Sequence, residues 1–277
     1  MNTLAACSGR IVRVTISLVL LCAVIGCTGG ASGGSVLTDN LSVPLDGATA
    51  ARLDLNCGPG NLTIDRLTGG EQLLASGTLQ YLEKQGLPTR DLVAPGSQAT
   101  LTLKGSGGGS SGFRWPWQAC VGGAYEWRIH LNPNVPYDIT AHSDGGNVKL
   151  DLAGMAVTRL FADTGGGNME VILPDKAAGL SIAAQTGGGN VTVEIGSGTT
   201  GSNTVDANSG AGNVTVLVPD GAAARIHATS GAGKVIVDSQ FSKMDGNTYQ
   251  SAGYDAAASR VEITVHSGAG NVTVDTK

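Results

Sequence analysis

Gly187-Gly188-Gly189-Asn190-Val191-Thr192-Val193 decides how this chain is read. A glycine-rich turn runs directly into apolar–polar–apolar alternation. The same alternation precedes the turn, with Ile182 and Ala184 eight and six residues before the asparagine. Period two on both sides of a tight turn describes two half-buried strands, each with one apolar face. Glycine supplies left-handed backbone where a tight turn needs it, and asparagine tolerates the same region.

The unit occurs seven times, with the closing turn position at Asn61, Asn147, Asn168, Asn190, Asn213, Lys234 and Asn271. From 147 to 234 these positions fall 21, 22, 23 and 21 residues apart. The first and third residues after the turn are apolar in every copy, from Leu62 and Ile64 to Val272 and Val274. Alanine recurs six residues before it, at Ala141, Ala162, Ala184, Ala207 and Ala228, which implies a narrow core. A unit of about 22 residues cannot bury its apolar face alone, so the copies must stack. The expected fold is all-β, a single domain built as a β-solenoid-like stack of strand–turn–strand repeats. A row of antiparallel hairpins is the rival geometry.

Residues 132–277 carry the regular repeats and 38–131 a less regular part. The latter has one complete unit around Asn61 and strand-like runs at 73–80, 98–104 and 125–131. Between the last two runs, Gly105 to Gly123 reads as a long hairpin loop containing Trp115 and Trp117. Two tryptophans beside Arg114 suit stacking on sugar rings or a membrane interface, and equally suit folding back to cap the core.

The first residues set the destination. Arg10 and Arg13 precede an apolar run, Val14 to Ile25, that ends in Val24-Ile25-Gly26-Cys27. The run is too short to span a bilayer, which takes roughly 20 apolar residues, and it fits the core of an export signal. The four closing residues resemble a lipobox. That resemblance implies cleavage before Cys27 and a diacylglyceryl thioether on it, making membrane lipid a partner of residue 27. Residues 1–26 are thus expected to be a signal peptide and 27–37 a lipidated cysteine with a flexible Gly/Ser tether. The domain of residues 38–277 would lie on the non-cytoplasmic side of the cell membrane or outer membrane.

With Cys7 and Cys22 in the signal and Cys27 lipidated, Cys57 and Cys120 remain. In an oxidising compartment they are expected to form a disulfide, or else to stay as two buried thiols. The net charge of −5 and the lack of a basic cluster give no reason to expect nucleic-acid binding.

The turns, the opening Leu41-Ser42-Val43-Pro44-Leu45-Asp46-Gly47-Ala48, the central Asn132-Pro133-Asn134-Val135-Pro136-Tyr137-Asp138-Ile139 and the closing Tyr254-to-Ile263 stretch resemble bacterial toast-rack domains. That group takes in the C-terminal domain of the cell-wall-antibiotic-response protein LiaF and a related adhesin-type β-repeat family. The resemblance covers about 38–277. It implies a non-enzymatic envelope domain, tied in some relatives to sensing membrane or cell-wall stress. Many relatives carry the domain behind transmembrane helices, whereas here a lipid anchor is expected in their place.

Catalytic chemistry is thinly represented. Gly196-Ser197-Gly198-Thr199-Thr200-Gly201 has a dinucleotide spacing without its strand–helix context. The turns offer asparagine where calcium-binding repeats offer aspartate, so neither calcium nor another cofactor is expected. His130, His142, His227 and His266 alternate with the apolar set and belong on solvated faces. Asp151, Glu170, Glu194 and Asp238 follow the turns and can line up outside a stack, which keeps a β-helix carbohydrate enzyme as the least favoured reading. The leading expectation is a non-catalytic envelope binding or scaffold module whose partner is an envelope protein. The alternative is an adhesin-like surface protein that binds polysaccharide.

Overall fold

A computed structural model describes residues 35–69, 72–94, 96–106 and 125–277. Its strands in chain order begin with β1 (Val36–Pro44), β2 (Ala50–Asn56), β3 (Asn61–Arg66), β4 (Leu73–Leu82), β5 (Thr89–Val93), β6 (Gln98–Lys104) and β7 (Glu126–Leu131). The regular part continues with β8 (Pro136–Ser143), β9 (Val148–Asp151), β10 (Ala156–Thr164), β11 (Met169–Ile172), β12 (Ser181–Thr186), β13 (Val191–Glu194), β14 (Ser202–Ser209) and β15 (Val214–Val218). It ends with β16 (Ala224–Ser230), β17 (Val235–Val237), β18 (Phe241–Asp245), β19 (Thr248–Ser251), β20 (Arg260–Ser267) and β21 (Val272–Thr276).

These strands form two sheets. Sheet I has the order β1-β4-β7-β3-β9-β11-β13-β15-β21-β17, and sheet II the order β18-β19-β16-β20-β14-β12-β10-β8-β2-β6-β5. Each glycine turn carries the chain from a strand of sheet II to its counterpart in sheet I. Neighbouring copies then pair in parallel and in register, as Met169 with Val191 and Ile182 with Val205. The fold is therefore a solenoid, and hairpin stacking is excluded because the two strands flanking a turn never pair with each other. Residues 105–123 do not close a hairpin either, since β6 lies in sheet II and β7 in sheet I.

Inward positions fall where the alternation puts them. Leu62, Ile64, Val148, Leu150, Val191, Val193, Val214 and Val216 are at most 1% exposed, and the alanines nearest the turns are fully buried. β-Branched side chains suit this pleated, two-sided packing, and alanine fits where the tight turn draws the sheets together.

Chain order and stacking order part company at both ends. The β2/β3 rung lies between β6/β7 and β8/β9, and the β20/β21 rung is inserted between β14/β15 and β16/β17. The N-terminal end is closed by antiparallel β5, β4 and β1, with Arg90 of β5 in sheet II bonded to Asp39 of β1 in sheet I. At the other end the antiparallel β18–β19 hairpin extends sheet II, while β17 is left as the edge of sheet I.

Candidate binding surface

The turn ridge is the most regular feature of the surface, and its chemistry explains its sequence. A methyl group on Gly167 would sit 2.0 Å from the carbonyl oxygen of Gly146 on the adjacent rung, and one on Gly189 would sit 2.0 Å from that of Gly167. The first turn glycine is similarly confined, with Gly187 2.2 Å from the Gly165 oxygen by the same construction. The middle position faces open space at Gly145 and Gly166, and there the chain also carries Pro59, Ala211, Ala232 and Ala269. Close backbone approach therefore selects these glycines. The expected left-handed backbone is present among the turn glycines only at Gly58 (φ 66°), because the chain passes from sheet to sheet without reversing into a hairpin.

The asparagines form a ladder. The Oδ1 of Asn61 accepts the backbone N–H of Asn147 at 2.8 Å. The relation repeats from Asn147 to Asn168, Asn168 to Asn190, Asn190 to Asn213, Asn213 to Asn271 and Asn271 to Lys234. A second ladder lies one turn position back. Ser143, Thr164, Thr186, Ser209, Ser267 and Ser230 each donate a hydroxyl to the third glycine's carbonyl on the neighbouring rung. Cys57 holds the equivalent place in the β2/β3 rung, but its Sγ lies 3.4 Å from the Gly60 oxygen of its own turn and not of a neighbouring one. The signal was legible, since every copy has Ser, Thr or Cys four residues before the turn-closing residue.

Each ladder Oδ1 accepts one backbone N–H from the neighbouring rung, so the asparagines serve the stacking of the turns. Among the described residues, no group of three or more His, Cys, Asp or Glu side chains is placed to hold a metal.

The outer face of sheet I carries the four carboxylates singled out from the sequence, but it does not bring them together. Asp151 and Glu194 share a row with Ile172 between them, about 10 Å apart at the usual strand spacing. Glu170 lies in a different row, paired with Lys149 at 3.0 Å, and Glu194 pairs with Lys277. Asp238 accepts the Gln240 N–H, which holds its carboxyl below the usual range. No two of these four are left free and facing each other across a substrate-sized gap.

Three of the four histidines bond outward-facing neighbours. His142 is bracketed by carboxylates, with Nδ1 2.6 Å from Asp163 and Nε2 3.1 Å from Asp144. Burial pulls its pKa down, but the two carboxylates outweigh that and hold it above the ordinary 6.5. His130 bonds Asp65, and His266 lies 2.8 Å from the Thr229 hydroxyl.

Cys57 is a buried free thiol whose pKa burial pushes up to about 12. The expected bridge from Cys57 to Cys120 is thus not recorded, and Cys120 lies outside the described residues. Cys27, Trp115 and Trp117 lie outside them as well. No helix of the described residues is long and apolar enough to cross a membrane.

Comparison with known proteins places this architecture. The family model described as the N-terminal domain of toast_rack (DUF2154) matches residues 32–194. The model of the C-terminal region of LiaF, of the cell wall-active antibiotics response, matches residues 181–274. No curated protein matches the chain. Among solved structures, a candidate cell adhesion protein of Clostridium sporogenes is 22% identical at a TM-score of 0.64, covering 88% of this chain and 100% of its own. A candidate adhesin of Bacteroides fragilis is 13% identical at a TM-score of 0.37, covering 87% of this chain and 97% of its own. Neither family model is described as that of an enzyme, and the first structure shares the fold. The chain belongs to the toast-rack family.

Proposed function

We propose that the protein is a non-catalytic binding module of the bacterial envelope, held to the membrane by a lipid on Cys27. The observation that carries this reading is where the chain joins the stack. Val36 opens β1 on one outer edge of sheet I, and the rungs run from there to β17 at the far edge. At about 4.8 Å per strand, the ten strands of sheet I separate its edges by roughly 43 Å. The chain thus enters one end of a long, regular body at Val36, so a lipid on Cys27 would hold the stack by that end. Glu170 and Glu194 are tied to lysines and the four carboxylates of sheet I do not converge, which favours binding over hydrolysis.

Fractionation of cells expressing the full chain and its Cys27→Ala variant tests the reading, with mass spectrometry of the N-terminal peptide. The expected result is membrane-bound wild type carrying a diacylglyceryl group on Cys27, and loss of both in the variant. Wild type recovered in the soluble fraction with an unmodified Cys27 would remove the anchor. Release of product from a polysaccharide by the purified protein would remove the non-catalytic half.

A further inference from the structure

The outer face of sheet II holds one feature that turn and core chemistry do not account for. Phe161, on β10, is 39% exposed in the middle of the sheet. Across the strands its register neighbours are Thr140 and Ala183, both small, so the flanks of the ring stand open. Along its own strand, Arg159 and Asp163 lie on the same face about 6.6 Å to either side. Gln185 pairs with Asp163 on the next strand. The result is an aromatic platform ringed by polar side chains, across three strands.

Two details mark the patch as built. The register between β8 and β10 shifts between Val157 and Arg159, the one such irregularity in the parallel rungs among the described residues. Thr158 is the extra residue there, so it is exposed beside Arg159, which strand alternation already places on the face that carries Phe161. The polar groups are also held in place. Asp163 is fixed by His142 at 2.6 Å, and Arg159 lies 3.7 Å from Asp138.

We propose that this patch binds a neutral hexopyranose unit of a polysaccharide, stacked on Phe161 with its hydroxyls directed to Arg159, Asp163 and Gln185. Phe161 is the sole exposed large hydrophobic residue on β8, β10 and β12, so the patch lacks the cluster of central apolar anchors on which protein interfaces concentrate their binding energy. A sugar presents one apolar C–H face edged by hydroxyls, which matches one ring edged by donors and acceptors. The charge pattern selects a neutral sugar. Arg159 is answered by Asp138, and His142 by Asp144 and Asp163, so an acidic sugar would meet carboxylates without a spare cation beside the ring. The inference rests on the binding-module reading but not on the anchor.

Isothermal titration of the full-length chain in detergent micelles tests it, using cellohexaose, chitohexaose and an oligogalacturonate of the same length. The expected result is binding of a neutral hexaose and none of the oligogalacturonate. Phe161→Ala should weaken that binding at least tenfold with an unchanged melting curve, and Gln185→Ala should weaken it less. Three outcomes overturn the site: no binding of either neutral hexaose, equal binding of the oligogalacturonate, or full binding by Phe161→Ala. Binding that survives Phe161→Ala and is lost in Trp115→Ala/Trp117→Ala would place the sugar in the 107–124 segment instead. Loss of the anchor is read by fractionation and leaves this titration untouched.

Discussion

The Oδ1 of Asn271 accepts the backbone N–H of Lys234 at 2.9 Å, and the ladder stops there because β17 is the edge strand of sheet I. Lys234 is therefore the exception to the asparagine rule for a positional reason: no rung lies beyond it to use a side-chain acceptor. Removing an acceptor inside the ladder strands a neighbour's N–H, whereas adding one at Lys234 gains nothing. Asn168→Ala should cost about 1 kcal/mol, the usual net worth of one hydrogen bond. Lys234→Asn should change stability by less than about 0.5 kcal/mol, as surface changes generally do. Urea midpoints of the two variants check both. Equal losses at the two positions would remove the ladder as the reason for asparagine.

Gly188 and Gly189 are adjacent, yet they should respond oppositely to one methyl group. At Gly189 the added carbon lies 2.0 Å from the Gly167 oxygen, a backbone atom that cannot turn aside. At Gly188 the nearest atom is 4.0 Å away. Gly189→Ala should destabilise by about 3 kcal/mol, the upper end for overpacking. Gly188→Ala should be neutral or stabilising by up to about 1 kcal/mol through the reduced freedom of the unfolded chain. Thermal melts of both variants decide it, and a stable Gly189→Ala would mean that the rungs are not packed this closely.

The repeat was legible because period two and the turn residues act within a few residues of one another. Leu62, Val193 and Ala184 are inward for reasons visible in their own neighbourhood. Stacking order was not legible. Val265 and Ala228 occupy the same place in their units, and nothing local says that β20 pairs with β14 while β16 lies outside it. That choice is made by long-range contacts between interchangeable copies. The run from Gly105 to Gly123 reads as a hairpin loop for the same reason, since two flanking strands look alike in sequence whether they pair or, like β6 and β7, lie in different sheets. Phe161 was visible as an outward-parity aromatic among polar positions. Its setting between Thr140 and Ala183 existed only once the register was known.

His142 gives the protein a pH response whose sign follows from its partners. With both ring nitrogens against carboxylates, the imidazolium is the favoured form and the folded pKa lies above 6.5. A raised pKa contributes stability that is fully present below the unfolded value and fades as pH climbs through the folded value. Stability should therefore decline as pH rises above 6.5 toward mild alkalinity, and Asp163→Asn should flatten that decline. Side-chain NMR titration of His142 supplies the direct check. A His142 pKa below 6.5 in the wild type, or one unchanged by Asp163→Asn, would show that the carboxylates do not hold the proton.

Cys57 stands in the ladder position that serine or threonine fills in the other six turns, and it is 2% exposed. Burial holds its thiol protonated, with a pKa pushed up to about 12, and only the thiolate attacks an alkylating reagent. Iodoacetamide at pH 8 should therefore leave Cys57 unmodified in the folded protein and label it fully in denaturant. Cys57→Ser should fold normally, with stability within about 1 kcal/mol of wild type, because a hydroxyl makes the stronger hydrogen bond at this place. A residue 57 that resists labelling in denaturant until a reductant is added would instead show a bond to Cys120. Cys57→Ser would then lose the stabilisation of a closed loop, typically 2–4 kcal/mol. Labelling with and without reductant separates a ladder residue that happens to be sulfur from a cross-link.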